Sequence, residues 1–227
     1  MTNLSAAIQQ IEQRIQNAKP GHFAETVKLV AVSKTFGPEI IREAYRLGLR
    51  DFGENRAQEL LEKKAELPAD IRWHMIGRLQ TNKVKDILGK VVLIHSLDRP
   101  ELFEKIESEL RRQKGLQQDC LLQVNVSGEA AKAGFAPEKI KDFLARISPD
   151  TPVKITGLMT MAPLEESTEG MRTIFRKTKA LFEDLKQSFP QLNLKYLSMG
   201  MSGDFEVAVQ EGANLVRIGT ALFGNRN

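Results

Sequence analysis

The sequence predicts an α/β protein built as a single (β/α)₈ TIM barrel with an extra helix at its N-terminus. Short apolar segments alternate with helical patterns along the 227 residues, and eight such segments can be counted. No linker rich in Pro, Gly or Ser divides the chain. Strands that alternate with helices form parallel sheets through right-handed crossovers, and eight of them can close a barrel. We therefore expect residues 1–227 to form one domain.

An amphipathic helix comes first, because Leu4, Ala7, Ile8, Ile11 and Ile15 share one stripe at helical spacing. The eight strands are then predicted over residues 28–34, 51–55, 72–77, 91–97, 120–126, 154–161, 196–199 and 215–219. The helices between them are predicted over residues 38–48, 56–67, 81–88, 100–114, 137–147, 168–189 and 205–211. The first of these helices has Pro38 in its first turn and Gly48 at its end, which are the residues that favour a start and a stop.

The last predicted strand leaves no room for a full helix before Asn227. We expect the N-terminal helix to cover the gap that this leaves in the outer ring. An open, doubly wound sheet is the alternative architecture. Its dinucleotide fingerprint G-x-G-x-x-G does not follow the first strand, and the phosphate-binding motif G-x-x-x-x-G-K-[ST] is also missing.

Composition excludes several classes of protein. The net charge is +4, but basic residues are interspersed with acidic ones and only 6% of residues are aromatic, so we expect no nucleic-acid partner. No apolar run approaches the roughly 20 residues of a membrane span, and the polar start is not a secretion signal. Cys120 is the only cysteine, which excludes an intramolecular disulfide and a cysteine-based zinc site. We expect a cytoplasmic protein without a metal site.

Lys34 is the first candidate site residue, because it ends the first strand. Alternation places Val30, Val32 and Lys34 on one face of that strand. If the valines line the barrel interior, Lys34 enters the mouth, where active sites of such barrels lie. Desolvation there lowers the pKa of an amine and favours the neutral form that attacks an aldehyde. A strand-end lysine that simply reaches water is the alternative.

The loops after strands seven and eight predict an anion site, since phosphate is often bound at this place in such barrels. Ser202 lies just before a predicted helix, and Gly219 and Thr220 follow strand eight, so amides and hydroxyls are available together. An ordinary helix cap by Ser202 or Asp204 and a tight turn at Gly219 would explain the same residues.

Arg217 lies two residues before Gly219, on the same face of strand eight. A buried arginine needs an acceptor. A heteroaromatic nitrogen or a carboxylate of a ligand would serve, and an internal salt bridge would serve equally.

A set of motifs in fixed order resembles the YggS/PROSC family of pyridoxal phosphate homeostasis proteins, whose barrels resemble the N-terminal domain of alanine racemase. The motifs are LVAVSKT at 29–35, FGEN-x-x-QE at 52–59, WH-x-IG-x-LQ-x-NK at 73–83, N-x-S-x-E-x-x-K-x-G at 125–134, GLMTMAP at 157–163, SMGMS-x-D at 198–204 and VRIG at 216–219. Together they extend over nearly the whole chain.

The resemblance implies pyridoxal 5'-phosphate as the cofactor, held by Lys34 as a lysine aldimine. It places Arg217 at the pyridine nitrogen and gives the phosphate to Ser202, Gly219 and Thr220. It makes Asn55, His74 and Met199 candidates for the pocket wall.

The implied function is reversible binding, buffering and delivery of the cofactor without robust catalysis. An arginine beside the pyridine nitrogen disfavours its protonation, which weakens the ring as an electron sink. Related racemases take a tyrosine base from a partner's second domain, and we expect no such domain here. Tyr45 and Tyr196 fall away from the predicted mouth, and His22, His74 and His95 are not expected to converge on a metal.

Three further interpretations stay open. A racemase-like enzyme is the main alternative, and an aldolase or phosphosugar isomerase that uses the same lysine and phosphate site is a weaker one. Lys132 could accept the cofactor from Lys34, although a solvated loop lysine is the simpler interpretation. We expect a monomer whose partners are the cofactor and the apo-enzymes that require it.

Overall fold

Eight parallel strands close into a barrel in the computed structural model, which describes residues 3–21, 26–129, 133–163 and 166–224. Each strand pairs with the next along the chain, and the first pairs with the last. The strands are β1 Lys28–Val32, β2 Asp51–Glu54, β3 Arg72–Met75, β4 Leu93–Leu97, β5 Gln118–Gln123, β6 Val153–Met159, β7 Tyr196–Ser198 and β8 Leu215–Ile218. The predicted closed barrel is confirmed, and the open sheet is excluded.

Helices surround the barrel, and the described part of the chain contains α1 Leu4–Ala18, α2 Pro38–Arg46, α3 Ala57–Glu66, α4 Val84–Ile87, α5 Pro100–Arg112, α6 Ile140–Ala145, α7 Thr168–Ser188, α8 Phe205–Gln210 and α9 Thr220–Phe223. Short 3₁₀ turns at Thr81–Lys83 and Pro137–Lys139 begin two of the helices that the sequence predicts as continuous. The short helix α9 was not predicted. Most predicted strands were one or more residues too long, because their last residues leave the sheet and form the loops of the mouth.

The α1 helix covers the gap after β8, as predicted. It packs against α8 and α9, and its stripe of buried side chains faces the barrel. Arg14 reaches α8, where its guanidinium makes two hydrogen bonds to Glu206, of 3.1 and 2.6 Å, and lies 4.6 Å from the ring centroid of Phe205. One helix from the start of the chain therefore completes the outer ring beside the last strand.

The core has two separate apolar layers. The larger one lies between the strands and the helices, whereas the barrel interior holds a small cluster made by Val30, Leu93, Leu121, Met159 and Leu215. Gly53 also faces this interior, and a Cβ there would lie 2.9 Å from Cγ1 of Val30. The small apolar cluster leaves the upper interior to polar side chains, which is unusual for a packed barrel.

No helix among the described residues is long and apolar enough to cross a membrane.

Candidate functional site at the barrel mouth

Lys34 follows the last residue of β1 by two positions and is half-buried. The predicted alternation along β1 is confirmed below it, because Val30 belongs to the interior cluster while Ala31 belongs to the layer beneath the helices. The intervening Ser33 is fully buried, and its hydroxyl donates a 2.6 Å hydrogen bond to Glu54 on the helix side. Lys34 therefore follows, at its carboxyl end, a strand whose inward face is marked by Val30.

A buried ion-pair network holds the backbone on both sides of Lys34. The Nζ atom of Lys63, on α3, donates to Glu54 and Glu59 at 2.7 Å each and to the carbonyl oxygen of Ser33 at 2.8 Å. Glu59 also accepts a 2.5 Å hydrogen bond from the amide of Thr35. We refer to Glu54, Glu59 and Lys63 as the lysine clamp.

The clamp holds a strained residue. Thr35 has a φ of 71°, in the left-handed region that a β-branched residue rarely adopts. Among non-glycine residues of the described chain, it is the one with positive φ. Such strain costs of order 1–3 kcal/mol and persists only where surrounding contacts enforce it. The sequence analysis missed the clamp, although the Glu59–Lys63 spacing of four residues on one helix was a signal.

Burial and hydrogen bonds act in opposite directions on the two clamp carboxylates. Burial raises the pKa of Glu54 above its usual range, against the hydrogen bonds from Lys63 and Ser33. Burial also acts to raise the pKa of Glu59, but the hydrogen bonds from Lys63 and the Thr35 amide outweigh it and lower that pKa. Glu59 therefore carries the negative charge that faces Lys63 and Thr35.

Arg217 is buried in the upper barrel interior, beside Val30 of β1 in the strand register. Its Nη1 atom donates a 2.6 Å hydrogen bond to Oγ of Ser198, and its Nη2 atom donates a 2.9 Å hydrogen bond to the carbonyl oxygen of Thr160. No carboxylate in the described part of the chain lies within salt-bridge distance of it. The internal salt bridge that the sequence left open is therefore not the arrangement found among these residues.

Burial lowers the pKa of Arg217 to about 10, against the attraction of the Asp204 carboxylate. The guanidinium nevertheless stays protonated near neutral pH. Its two hydrogen bonds use two of five N–H donors. A cation in this position has donors to offer a ligand that enters the mouth.

A continuous chain of buried hydrogen bonds leads from Arg217 through the interior. Ser198 Oγ lies 3.0 Å from Nδ1 of His95, His95 Nε2 lies 3.0 Å from Nδ1 of His74, and His74 Nε2 lies 3.0 Å from the Asp51 carboxylate. We call these five residues, from Arg217 to Asp51, the interior chain.

The two ends of the interior chain fix the direction of every hydrogen bond in it. Arg217 can only donate and an ionised Asp51 can only accept. Ser198 must then donate to His95, His95 to His74 and His74 to Asp51, so both neutral imidazoles carry their proton on Nε2. The hydrogen bonds from Arg72 and His74 outweigh burial and hold the pKa of Asp51 far below its usual range, which keeps it ionised.

Burial lowers the pKa of His74, against the attraction of Asp51. Burial lowers the pKa of His95 well below its usual range, and the charge on Arg217, like any positive charge on His74, acts in the same direction. Both imidazoles are therefore neutral. His74 and His95 contact each other, and the described residues include no group of three or more potential metal-ligating side chains.

Ser202 joins the loops after β7 and β8. Its Oγ accepts hydrogen bonds from the amides of Gly219 and Ala221, at 3.3 and 3.2 Å. Asp204 occupies the N-cap position of α8, but its carboxylate accepts from the amide of Met201 at 2.5 Å instead of capping the helix. Ser202 therefore does not cap α8, and its hydroxyl oxygen instead brings together the amides of Gly219 and Ala221 at the start of α9. We refer to Ser202, Gly219 and Thr220 as the cup.

The cup and Lys34 lie on neighbouring strands. A Cβ on Gly219 would lie 3.2 Å from the carbonyl oxygen of Val32 and 3.3 Å from its Cβ, so the start of the β8 loop lies directly against the end of β1. Two backbone amides already converge on a single oxygen there, which is the donor arrangement that a phosphate oxygen requires. An amine, a buried guanidinium and this cup fit the aldehyde, the ring nitrogen and the phosphate of pyridoxal phosphate.

The remaining predicted site residues separate into two groups. Asn55 lies half-buried after β2 and lines a cavity of about 750 Å³ at the mouth. His74 lies deep in the interior chain rather than at the pocket wall. The side chain of Met199 packs in the layer beneath the helices, because Ser198 faces inward and its neighbour on the strand must face outward.

Tyr45 and Tyr196 lie away from the mouth, as predicted. Tyr45 donates to Asp70, and Tyr196 at the start of β7 accepts from Lys28 at the opposite end of β1. Cys120 is fully buried in the apolar layer, and burial raises the pKa of its thiol. His22 and Lys132, which the sequence also singled out, lie outside the described residues.

Comparison with known proteins gives a family. A family model described as the N-terminal domain of alanine racemase matches residues 7–227. A curated relative, the pyridoxal phosphate homeostasis protein of Aquifex aeolicus, is 47% identical over 227 residues, which cover 99% of this chain and 99% of the relative.

Solved structures have the same barrel. PipY of Synechococcus elongatus, determined with PLP bound, superposes with a TM-score of 0.86 at 36% identity and covers 98% of this chain and 100% of its own. Alanine racemase of Bartonella henselae superposes with a TM-score of 0.71 at 19% identity, covering 98% of this chain but 58% of its own. The racemase likeness shows the fold alone.

Proposed function

This chain belongs to the alanine racemase N-terminal domain family and, within it, to the pyridoxal phosphate homeostasis proteins, and from that premise we propose that it binds pyridoxal 5'-phosphate through Lys34 and buffers or delivers it without robust catalysis. The placement of Lys34 above the interior face of β1, next to the cup on β8, carries the proposal. The relative in Aquifex aeolicus is named a pyridoxal phosphate homeostasis protein, and PipY has been solved with PLP bound.

Each part of the site has a separate task in this proposal. When bound, the cofactor supplies an aldehyde with which a neutral lysine amine reacts reversibly. The lysine clamp fixes the backbone of Ser33 and Thr35, so the Lys34 side chain leaves the strand in one direction. Ser202, Gly219 and Thr220 receive the phosphate, and Asn55 lines the wall on the β2 side. Arg217 faces the ring nitrogen.

The interior chain supports the proposed absence of robust catalysis. Arg217 remains a cation near neutral pH, and a cation disfavours a proton on the ring nitrogen, which most reactions of this cofactor need. His74 and His95 are neutral, buried and engaged in hydrogen bonds on both ring nitrogens, so they are poor proton carriers. Tyr45 and Tyr196 lie away from the mouth and do not supply a base.

Borohydride reduction tests the attachment site. Protein saturated with pyridoxal phosphate is reduced and digested, and the modified peptide is identified by mass spectrometry. We expect the mass increase on the peptide that contains Lys34 and its loss in Lys34→Ala. Lys28→Ala is the matched control, because Lys28 lies on the same strand at the opposite end of the barrel. Labelling that persists in Lys34→Ala contradicts the proposal.

A racemase-like enzyme is the second candidate, because the family model is that of a racemase domain. The two functions differ in exchange of the amino-acid α-proton. Holo-protein is incubated with D- and L-alanine in deuterated water, and deuterium at Cα is followed by NMR. We expect no sustained exchange above the rate with free cofactor, and sustained turnover would establish the enzyme instead.

The same proposal places the protein in the cytoplasm as a monomeric single domain over residues 1–227, with cofactor-requiring apo-enzymes as its recipients. A single cysteine, fully buried, supports the reducing compartment. Analytical ultracentrifugation of apo- and holo-protein tests the monomer, and activation of an apo-enzyme by holo-protein, compared with an equal amount of free cofactor, tests delivery.

A further inference from the structure

A group of four cationic side chains at the mouth lies on the side opposite the cup. The cavity of about 750 Å³ that Asn55 lines is formed by the loops after β2, β3 and β4. Four of its lining side chains are cationic, namely Arg56, Arg78, Lys83 and Arg99, and none of the described residues that line it is a carboxylate. Its volume is in the range of cavities that hold small metabolites.

A buried carboxylate positions two of these cations. Asp98, whose side chain is 1% exposed, accepts from Arg78 at 3.0 Å through one oxygen and from Arg99 through the other. Arg78 uses only its Nε atom in this contact, and its side chain is 68% exposed. One negative charge therefore fixes two guanidinium groups, and the Nη atoms of Arg78 stay available to a ligand.

Two of the four cations also occupy unfavourable positions in their own helices. Arg56 is the N-cap residue of α3 and Arg99 is the N-cap residue of α5, and neither helix has a side-chain cap. Ser, Thr, Asp and Asn stabilise this position, whereas a cation opposes the positive end of the helix dipole. Glu59 in the first turn of α3 does not offset Arg56 fully, because it already bonds Lys63 and the Thr35 amide.

Residues that oppose the stability of their own helix are expected at functional sites, where a ligand can supply the missing negative charge. We propose that the cavity lined by Arg56, Arg78, Lys83 and Arg99 is a second ligand site, distinct from the phosphate cup, that binds a small polyanion bearing phosphate or carboxylate groups. An anion there satisfies the guanidinium donors and removes the repulsion at both helix N-termini.

The site shares Asn55 with the wall of the cofactor pocket, so the two ligands are coupled. Any change that the anion makes in cofactor affinity is matched by an equal change that the cofactor makes in anion affinity. The existence of the anion site itself does not depend on the proposed cofactor function, because its four cations are not among the residues assigned to the cofactor.

Isothermal titration calorimetry of the full chain at low ionic strength tests the site, with inorganic pyrophosphate and citrate as the two probes. Stronger binding of pyrophosphate assigns a phosphate ligand, and stronger binding of citrate assigns a carboxylate ligand. We expect Arg78→Ala to weaken binding of the preferred probe about tenfold, since a charge-assisted hydrogen bond is lost. Arg46→Ala, which removes an exposed arginine on α2, is the matched control and keeps the affinity.

Arg56→Ser supplies the decisive measurement, because it should stabilise the ligand-free protein and weaken binding of the probe. A serine at the N-cap should raise the melting temperature of ligand-free protein by about 2 °C. The same substitution should weaken binding of the preferred probe about tenfold. A merely structural role of Arg56 would change stability without changing affinity.

The proposal is overturned if neither probe binds, or if Arg56→Ser and Arg78→Ala bind the probes as the parent protein does. It is also overturned if binding survives Arg78→Ala and disappears in Ser202→Ala, which would assign the probe to the phosphate cup. Titrating apo- and cofactor-saturated protein separately keeps this result independent of the proposed function, because failure to bind cofactor leaves the apo titration valid.

Discussion

The hydroxyl oxygen of Ser198 lies 2.6 Å from Nη1 of Arg217, and it connects that guanidinium to the rest of the barrel interior. Ser198 accepts from Arg217 and donates to His95, so removing it breaks the interior chain at its centre. The chain takes residues from five strands, β8, β7, β4, β3 and β2. The orientation of Arg217 at the mouth therefore depends on groups that reach down to Asp51 near the opposite end.

We expect Ser198→Ala to lower the free energy of unfolding by about 2 kcal/mol, because a buried donor on Arg217 and a buried acceptor on His95 both lose their partner. Urea denaturation followed by circular dichroism measures the change. Ser108→Ala is the control, since that exposed hydroxyl contacts only the carbonyl oxygen of Lys105 in its own helix. A difference between the two variants below about 0.5 kcal/mol would show that the interior chain does not act as a unit.

Acidification should destabilise the protein through the two interior histidines. Burial lowers their folded pKa below the usual 6.5, so below that pH the unfolded chain binds protons that the folded protein does not. The free energy of unfolding then falls with pH, by at most about 1.4 kcal/mol per pH unit for each histidine. The loss begins as the pH drops through about 6.5, and the stability is fully present above it.

His95→Gln isolates one of these contributions. Between about pH 6.5 and 5.5, we expect its free energy of unfolding to fall less steeply with decreasing pH than that of the parent protein. The difference between the two slopes should equal the contribution of one histidine. Urea denaturation at a series of pH values measures the two slopes, and Arg46→Ala should keep the parent slope. Equal slopes in His95→Gln and the parent would mean that His95 takes up a proton as readily in the folded protein as in the unfolded chain.

Sequence periodicity was sufficient to predict the barrel and the inward face of β1, because both depend on local alternation of residues. It could not predict the interior chain, since Asp51, His74, His95 and Ser198 meet only after the eight-stranded barrel has closed. The hydrogen bonds of Ser202 could not be predicted either, because its partners Gly219 and Ala221 lie 17 and 19 residues away on another loop. Met199, which the resemblance makes a candidate for the pocket wall, belongs to the apolar layer beneath the helices.

The lysine clamp predicts a large effect from a residue that lies outside the pocket. Lys63→Met leaves Glu54 buried without its cation, and removing one partner of a buried ion pair costs about 3–5 kcal/mol. It also releases the backbone at Ser33 and Thr35, so we expect weaker cofactor retention as well. Lys64→Met on the same helix is the control and should change neither quantity.

Both quantities are measurable on the same samples, by urea denaturation and by the cofactor absorbance that remains after gel filtration. If Lys63→Met is clearly destabilised but retains all of its cofactor, the clamp does not contribute to cofactor binding at Lys34. Glu59→Gln refines the result, because its amide oxygen can still accept from the Thr35 amide while the ion pair with Lys63 is lost. We expect it to retain more cofactor than Lys63→Met.

Gly219→Ala tests the cup with a single methyl group. The added Cβ would lie 3.2 Å from the carbonyl oxygen of Val32 and 3.3 Å from its Cβ, so the β8 loop must move away from β1 by a few tenths of an ångström. That movement shifts the Gly219 amide, which donates to Oγ of Ser202 and is proposed to face the phosphate, and we expect about tenfold weaker binding of pyridoxal phosphate. Gly21→Ala is the matched control, because a Cβ there meets no atom within 4 Å.

Pyridoxal, which lacks the phosphate, separates the cup from the rest of the pocket. Each variant is titrated with both vitamers and followed by fluorescence. We expect Gly219→Ala to weaken the binding of pyridoxal phosphate and to leave the binding of pyridoxal unchanged. Equal weakening of the two would mean that the methyl group disturbs Lys34 across the β1–β8 pair rather than the phosphate donors. Because Val32 lies two residues before Lys34 on the same face, only the comparison of the two vitamers distinguishes these outcomes.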